Sequence, residues 1–304
     1  MDSTIDWQLY RSFLAVLREG SLSAAARALG QAQPTLGRHI DALEAALGIP
    51  LFTRSQGGLL PTDAARALRP HAEAMASHAA ALERMASSQG DAPRGVVRIT
   101  SSEVVGVEVL PPMLAELRRR HPAVTIELAL SNRAQDLLQR EADIAVRMLA
   151  PQQAQLIARP VGAIEIGLFA APAYLAEHGE PASVDDLNKH SLIGFDQPSA
   201  FQREAAKRMS GMAREKFALR SDSDLAQLAL LRAGAGLGFC QLPLARRDGL
   251  RRILPEHYAL RLDTWITMHE DLRHNRACKA VFDALVEGMQ RYAGHRPPDR
   301  PKSG

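Results

Sequence analysis

The stretch GSLSAAARALGQAQPTLGRHIDALEAALGIPLFTR, residues 20–54, decides how the N-terminal part of this chain folds. Its pattern predicts one helix over 24–29, for which Ser21 and Ser23 offer N-caps, and a second helix over 33–47. Two helices joined by a tight turn within about 25 residues are typical of a helix-turn-helix. The second helix of such a pair is the one that enters the major groove of DNA.

This second helix combines a buried stripe with an opposite polar face. Apolar residues recur at a helical period and form a stripe that consists of Leu36, Ile40, Leu43 and Leu47. The opposite side carries Pro34 and Arg38, with Thr35 beside them, and Gln33 lies at the helix N-terminus. An amide, a methyl group and a guanidinium are the groups that read base edges. An ordinary solvated helix face gives the same pattern and stays open as an alternative.

A further helix precedes this stretch, and a hairpin and a long helix follow it. Apolar residues at helical spacing predict the first helix around residues 10–17. The apolar pieces 49–52 and 59–60 flank a Gly-rich turn and predict a hairpin. From Thr62 the pattern predicts a helix that reaches about Ser87. We therefore predict a winged helix-turn-helix followed by a linker helix.

The long helix carries a heptad pattern, which we call the seam. The seam residues are Leu68, His71, Met75, His78, Leu82 and Met85. This spacing favours packing against a partner helix, and a DNA site of two half-sites favours a two-fold protein. The seam therefore predicts a homodimer, although a helix packed on its own domain is an alternative explanation.

Residues 20–54, followed by LLPTDAA at 59–65, resemble the N-terminal domain of LysR-type transcriptional regulators. The matching features are a Ser-rich helix start, an AAARALG body, a Gln-Pro pair that opens the recognition helix, LEAALG, and Leu-Phe-x-Arg at the start of the wing. The resemblance implies a DNA-facing recognition helix and a wing whose arginine contacts the DNA backbone. The predicted DNA-facing residues are Ser23, Gln33, Pro34, Thr35, Arg38 and Arg54.

Two residues depart from the family pattern. Ala32 stands where the family commonly has a serine that caps the recognition helix, and a missing cap costs about 1 kcal/mol. Gly37 stands where the family commonly has serine or threonine, and glycine weakens a helix by about 1 kcal/mol. We therefore expect this protein to prefer a DNA sequence of its own.

Beyond the polar linker at 88–94, the pattern changes to alternating strands and helices. Strands are predicted at 96–100, 124–130, 142–148, 164–170, 192–195, 216–220, 236–241 and 265–268, and helices at 109–120, 134–140, 224–233 and 275–292. This alternation predicts a mostly parallel sheet covered by helices. The predicted fold class is α+β overall: an N-terminal winged helix-turn-helix, a long linker helix, and a C-terminal α/β effector domain of two subdomains resembling periplasmic binding proteins.

The predicted domains follow from these changes of pattern. They are a DNA-binding domain at 1–62, a linker and dimerisation helix at 63–90, an effector-binding domain at 91–294 and a disordered tail at 295–304. Within the effector-binding domain, subdomain I covers about 91–162 and 265–294, and subdomain II covers about 163–264.

Polar residues follow several of the predicted strands. Ligands of α/β sheets lie beyond the carboxyl ends of strands and near helix N-termini. The predicted effector-binding residues, some of them implied by the family resemblance, are Ser101, Ser102, Glu103, Asn132, Arg133, Phe195, Ser221, Asp222 and Ser223. Helix capping explains the serines equally well. Helix N-termini favour a carboxylate and the nearby acids favour an ammonium group, so we predict a small organic acid or an amino acid as effector.

Composition and charge set wider limits. The chain has 304 residues, a formal net charge of +3 and 46% hydrophobic residues, which is typical of a globular protein. Residues 1–90 contain eight arginines and eight acidic residues, so a basic DNA-binding surface depends on where these residues lie. The N-terminus has no long apolar run, and we expect neither a signal peptide nor a membrane span but a cytoplasmic protein.

The two cysteines and the motif search favour a protein that is not an enzyme. Cys240 and Cys278 lack metal-ligand spacing, so two small buried side chains are expected, with a redox role as the alternative. The sequence has no G-x-S-x-G elbow, no P-loop and no H-E-x-x-H pair. We predict no metal and no cofactor.

The predicted partners are double-stranded DNA, a small-molecule effector and further copies of the chain in a homodimer or homotetramer, with RNA polymerase as a further candidate. Three alternatives differ in class. The first is a cytoplasmic small-molecule-binding protein or α/β enzyme with an incidental helical N-terminal domain. The second is a periplasmic solute-binding protein, and the third is an architectural DNA binder.

Overall fold

The computed structural model describes residues 5–55, 58–87, 92–132, 142–151, 156–199, 202–204 and 212–294. The chain forms two compact units, one within the first 83 residues and one from residue 84 onward. The predicted helix at 134–140, Arg133 and the predicted disordered tail at 295–304 lie outside the described residues.

The N-terminal unit consists of three short helices, a hairpin and a long helix. These elements are α1 (Trp7–Glu19), α2 (Leu22–Leu29), α3 (Gln33–Leu47), β1 (Phe52–Ser55), β2 (Gly58–Pro61) and α4 (Asp63–Ser87). The prediction of a strand at 49–52 is wrong except at Phe52. Pro50 has no N–H to donate to a strand partner, and the N–H groups of Leu51 and Phe52 donate to the Glu44 side chain instead.

The core of the N-terminal unit lies between α1 and α3. Leu36 and Leu43 are completely buried on α3, and Phe13 and Val16 meet them from α1. The predicted stripe on α3 is therefore confirmed at its central positions. The fourth stripe residue, Leu47, is half-buried against the same core.

The hairpin is fixed to the turn between α1 and α2. The N–H of Leu59 donates to the Gly20 carbonyl over 3.0 Å. Gly58 has a φ of 129°, and a Cβ at this position would lie 2.6 Å from that carbonyl oxygen. Only glycine fits this close approach, so it holds the wing beside the helix-turn-helix.

The C-terminal unit mixes strands and helices. Its strands are β3 (Gly95–Ser101), β4 (Val124–Leu130), β5 (Ile144–Arg147), β6 (Leu156–Ala170), β7 (Leu192–Gly194), β8 (Phe217–Arg220), β9 (Gly238–Gln241), β10 (Arg251–Ile253) and β11 (Ala259–His269). Its α-helices are α5 (Leu110–Arg120), α6 (Pro172–His178), α7 (Asp224–Arg232), α8 (Leu242–Arg247) and α9 (Arg276–Tyr292). A π-helical turn, Val105–Val109, leads into α5, and short 3-10 helices lie at Asp185–Lys189, Arg214–Lys216 and Glu270–Leu272.

The main sheet is mixed, which corrects the prediction of a mostly parallel sheet. Seven strands lie in the order β10-β6-β11-β5-β3-β4, with β9 also paired to β6. The β3–β4 and β3–β5 pairs are parallel, whereas all pairs of β6 and β11 are antiparallel. A separate parallel pair joins β7 to β8. The antiparallel pairs could not be predicted because β6 and β11 were expected only as short strands of 164–170 and 265–268.

Two lobes can be distinguished along these long strands. We call the described residues within 92–160 and 265–294 lobe I, and those within 161–264 lobe II. The chain leaves lobe I along β6 and returns along β11, and their register shifts between Thr264 and Trp265. The two strands that connect the lobes therefore lie side by side in one sheet. Among the described helices, none has the length and apolar character needed to span a membrane.

Candidate DNA interface and effector cleft

The N-terminal turn of α3 presents the predicted DNA-facing residues. Gln33, Pro34 and Arg38 are exposed, and Thr35 is half-buried beside them. The backbone of Arg54 lies in β1 of the wing, and its side chain is not described. Ala32 occupies the N-cap position without a side-chain hydrogen bond, as its departure from the family pattern predicts.

Ser23 contacts Gln33 instead of capping its own helix. The hydroxyl of Ser23 donates to Oε1 of Gln33 over 2.9 Å. The cap of α2 is Ser21, whose hydroxyl accepts from the N–H of Ala24 over 3.3 Å. The sequence analysis assigned Ser21 and Ser23 the same capping role, and the structure separates them.

Two further contacts fix the recognition helix, and sequence reasoning missed both. Glu44 Oε1 accepts from the N–H groups of Leu51 at 2.6 Å and Phe52 at 3.0 Å. At the middle of α3, the buried Ser12 hydroxyl lies 2.7 Å from Nδ1 of His39. These contacts tie α3 to the start of the wing and to α1.

The seam residues on α4 fall into two groups. Leu68 packs against the core of the N-terminal unit, as do Ala65 and Ala72. In contrast, Met75 is 41% exposed and Leu82 is 68% exposed. His71 and His78 are also exposed, and the Met85 side chain is not described. The exposed seam residues His71, Met75, His78 and Leu82 are thus available to contact another molecule.

A groove of about 360 Å³ runs between α1 and α4. Trp7 and Leu14 line it from α1, and Ala76 and Ala80 line it from α4.

Residues at the carboxyl ends of β3, β4 and β8 come together in the C-terminal unit. The Oδ1 atom of Asn132, after β4, accepts from the N–H of Glu103 at 3.1 Å. Its amide nitrogen donates to Oδ2 of Asp224 at 3.0 Å. Asn132 and Glu103 belong to lobe I, whereas Asp224 begins α7 of lobe II. One side chain therefore bridges the two lobes, and we call this place the cleft.

The predicted serines occupy different positions around the cleft. Ser101 is completely buried, and its hydroxyl donates to the carbonyl of Ser102 at 3.1 Å, so it lies beneath the surface. Ser102 is half-buried. In lobe II, Ser221 Oγ accepts from the N–H of Ser223 at 3.2 Å, and Ser223 Oγ accepts from the N–H of Ala226 at 3.3 Å. Both contacts of the lobe II serines order the start of α7.

Asp222 and Phe195 belong to the adjoining loop of lobe II. Oδ1 of Asp222 accepts from the N–H groups of Asp196 at 3.0 Å and Gln197 at 2.7 Å. This carboxylate therefore orders the loop after β7. Phe195 is half-buried in the same loop.

The cleft contains an unusual carboxyl group at Asp224. Burial raises the pKa of Asp224 to about 6, and the negative charge of Glu103 adds to this effect, while the hydrogen bond from Asn132 opposes it. Below the cleft, Nη2 of the buried Arg147 donates to Thr100 Oγ1 at 2.8 Å. An arginine at the end of the apolar strand IAVR was a signal that the sequence analysis did not use.

A second bridge between the lobes is ionic. Glu108 lies in the π-helical turn of lobe I and accepts hydrogen bonds from Arg232 and Arg247 of lobe II. Both arginines also pair with Asp248. The hydrogen bond from Arg232 lowers the pKa of Glu108 to about 2, with burial opposing it and Arg247 adding to it. Glu108 is 124 residues from Arg232, so no local pattern could predict this pair.

The cysteines and potential metal ligands add no second site in the part of the chain that the structure describes. Cys240 and Cys278 are both buried with free thiols. Burial raises the pKa of Cys240 to about 12, so its thiol is protonated at neutral pH. No cluster of three or more His, Cys, Asp or Glu side chains is placed to hold a metal ion within the described ranges.

A winged helix-turn-helix, a linker helix and a two-lobed α/β domain in one chain define a bacterial regulator of the helix-turn-helix class. Residues 7–66 match the family described as bacterial regulatory helix-turn-helix protein, lysR family, and residues 90–290 match the LysR substrate binding domain. The chain belongs to the LysR family of transcriptional regulators.

Individual relatives agree with this assignment. A putative transcriptional regulator from Pseudomonas aeruginosa is 32% identical over 76% of this chain and 77% of its own length. An HTH-type regulator from Xanthomonas campestris is 32% identical over 60% of this chain, and CrgA from Neisseria meningitidis is 30% identical over 62%. This chain spans 53% and 63% of the length of those last two relatives.

Solved structures share the architecture. CrgA from Neisseria meningitidis, a LysR-type transcriptional regulator, has a TM-score of 0.57 at 25% identity, covering 93% of this chain and 98% of that chain. Full-length CbnR, solved in complex with its target DNA, has a TM-score of 0.63 at 21% identity, covering 95% of this chain and all of that chain.

Proposed function

We propose that this protein is a sequence-specific DNA-binding transcription regulator whose activity is modulated by a small-molecule effector bound between lobe I and lobe II. The observation that carries the DNA-binding part is the exposed N-terminal turn of α3. It presents Pro34 and Arg38 on the side opposite the buried Leu36 and Leu43, and Gln33 is exposed at the helix start. A helix that packs against its own domain on one face and is exposed on the other can enter the major groove. The DNA complex of CbnR supports the same use of the shared fold.

The effector-binding part of the proposal rests on the Asn132 bridge across the cleft. A ligand bound there would meet the start of α7 and the loop after β3, and it would replace or enclose the contact between Asn132 and Asp224. Backbone N–H groups at helix starts bind a carboxylate, whereas Glu103 and Asp224 attract an ammonium group. We therefore favour an amino acid or a monoanionic organic acid over a dicarboxylate.

The assembly and its setting complete the proposal. We propose a homodimer formed through the exposed seam of α4, with a homotetramer as the larger assembly. A cytoplasmic location follows from the proposed DNA partner. An oligomer bound at a promoter would also be placed to contact RNA polymerase.

Two measurements on the full-length protein test the proposal. Fluorescence anisotropy with duplexes selected from a randomised library should give binding that is sequence-dependent and that weakens with salt. Duplexes bound equally well whatever their sequence would refute sequence-specific regulation.

Thermal-shift screening against small acids and amino acids tests the cleft. An effector at about a hundred times its Kd should stabilise the protein by about 2.7 kcal/mol. Ser102→Ala or Ser223→Ala should reduce this stabilisation, whereas the control Ser183→Ala, on the loop before the Asp185–Lys189 helix, should leave it unchanged. Stabilisation that survives both cleft variants would place the effector elsewhere.

A further inference from the structure

Ser23 and Gln33 form a side-chain pair at the surface that is proposed to bind in the major groove. Ser23 lies in the first turn of α2 and Gln33 is the first residue of α3, and both are exposed. The Ser23 hydroxyl donates to Gln33 Oε1 over 2.9 Å. Because Ser21 already caps α2, the Ser23 hydroxyl has no capping role, and its partner is the glutamine amide.

This hydrogen bond has a direction, and the direction matters for base recognition. A glutamine that reads adenine turns both its oxygen and its nitrogen to the base, accepting from N6 and donating to N7. In this protein the oxygen of Gln33 is turned towards α2, where Ser23 occupies it. The amide nitrogen, on the other arm of the same planar group, carries two N–H donors. Gln33 therefore presents a donor to an incoming base.

We propose that Ser23 is a positioning residue that fixes the orientation of the Gln33 amide, and that Gln33 consequently selects guanine. This inference rests on the proposed function, since it requires Gln33 to lie in the major groove. Guanine offers two acceptors there, N7 and O6, and no donor. Adenine offers one acceptor beside a donor amino group, and two donors, the amino group and the amide N–H, cannot form a hydrogen bond with each other. Cytosine offers a donor amino group alone.

A purely structural role for the pair predicts something different. If the hydrogen bond only tied α2 to α3, its loss would lower the stability of the protein and weaken binding to every DNA sequence alike. A positioning role changes the ratio of affinities between two bases at one position. That ratio is therefore the quantity to measure.

The experiment uses the full-length protein and proceeds in two steps. Duplexes are first selected from a randomised library by the unaltered protein. The base pair at which Gln33→Ala loses discrimination identifies the position that Gln33 contacts. Anisotropy titrations then compare all four base pairs at that position for the unaltered protein, Ser23→Ala and Ser23→Thr.

The unaltered protein should prefer guanine over adenine about tenfold, in the range of a good side-chain contact to a base. Ser23→Thr keeps a hydroxyl and should keep the preference. Ser23→Ala frees the amide to rotate and should reduce the ratio to about threefold or less. Replacing the guanine with 7-deazaguanine, which lacks the N7 acceptor, should weaken binding of the unaltered protein.

Gln33→Glu provides an independent test that does not depend on how well Ser23→Ala folds. A carboxylate has acceptors only, so this variant should switch its preference from guanine to cytosine, whose N4 amino group donates.

Three outcomes would overturn the inference: a preference for adenine in the unaltered protein, a guanine-to-adenine ratio unchanged in Ser23→Ala, or a Gln33→Glu variant that still prefers guanine. Each leaves Gln33 in the DNA interface. A Gln33→Ala variant that keeps discrimination at every position would instead remove Gln33 from that interface, which is a failure of the proposed function.

Discussion

The guanidinium of Arg232 donates two hydrogen bonds to the carboxylate of Glu108, and both N···O distances are 2.8 Å. Glu108 follows the cleft-lining end of β3 in lobe I, and Arg232 is the last residue of α7, which begins at the cleft in lobe II. The lobes are thus joined by Asn132 at the N-terminus of α7 and by Glu108 at its C-terminus. Both bridges therefore involve the same helix.

Glu108→Gln should destabilise the C-terminal unit. The side chain of Glu108 is 15% exposed, and its neutral replacement would leave Arg232 and Arg247 side by side with Asp248 as their shared counter-charge. We expect the free energy of unfolding at pH 7 to fall by about 2–3 kcal/mol. Urea denaturation monitored by circular dichroism measures this change.

Glu116→Gln is the matched control for this prediction. Glu116 also pairs with two arginines, Arg119 and Arg120, but on the exposed surface of α5. Exposed pairs contribute little, so we expect the free energy of unfolding to change far less than in Glu108→Gln. Equal losses in the two variants would contradict a special role for the contact between the lobes.

Arg38→Ala should weaken binding to the selected operator and relax specificity at one base step. Arg38 is exposed on α3, opposite the buried Leu36 and Leu43. The expected loss is about 1–3 kcal/mol, which competition binding with single-base variants of the operator can measure. Arg291→Ala, on α9 of the C-terminal unit, is the control and should bind normally. A uniform loss on every sequence would make Arg38 a phosphate contact only.

A doubly charged seam should prevent dimer formation. Met75 and Leu82 are exposed apolar side chains on α4. Met75→Glu combined with Leu82→Glu places two like charges at the proposed contact, so sedimentation should detect monomers and operator binding should weaken severely. Ala67→Glu, on the same helix outside the seam, should stay oligomeric. If the double variant sedimented as a dimer, the contact would have to lie elsewhere.

The helices of the N-terminal unit could be predicted from the sequence because their signals are local. Ser21, Gly20 and Gly30 mark helix ends, and Leu36 and Leu43 have the spacing of a buried face. The wing was harder to place, because the Glu44 side chain binds the N–H groups of Leu51 and Phe52, where the apolar piece 49–52 meets the first strand.

The contacts between the lobes could not be predicted because they join distant parts of the chain. Asn132 and Asp224 are 92 residues apart. The serine motifs correctly pointed to the ends of β3 and β8 but gave no information on which hydroxyls cap helices and which face the cleft. The long strand β6 was missed for a different reason: over residues 156–163, every position except Val161 is half-buried or exposed, so the strand does not begin with a continuous buried run.

Asp224→Asn should make stability less dependent on pH. The pKa of Asp224 is raised from 3.8 to about 6. The folded protein therefore takes up a proton at higher pH than the unfolded chain, and the resulting stabilisation is complete below about pH 4 and lost as the pH rises through 6. The neutral asparagine should raise Tm at pH 7.5 by about 2–4 °C and have much less effect at pH 4.5. Differential scanning calorimetry at both pH values measures the difference.

Asp222→Asn is the control for this charge change in the cleft. Asp222 accepts two backbone hydrogen bonds, and its replacement should lower Tm at pH 7.5. A lower Tm in Asp224→Asn as well would mean that the Asp224 carboxylate stabilises the cleft in its charged form.

The side-by-side course of β6 and β11 makes lobe II a single insertion in lobe I. The chain departs near Gly162 and returns at Thr264, and these two residues are register partners in the sheet. A segment whose ends lie this close can be replaced as one piece without changes in the rest of the domain, because insertions with adjacent termini are tolerated. Grafting residues 161–264 from a relative would therefore change half of the cleft while leaving β3, Asn132 and the DNA-binding unit intact. Exchange of this one segment is therefore expected to change the ligand preference of the cleft.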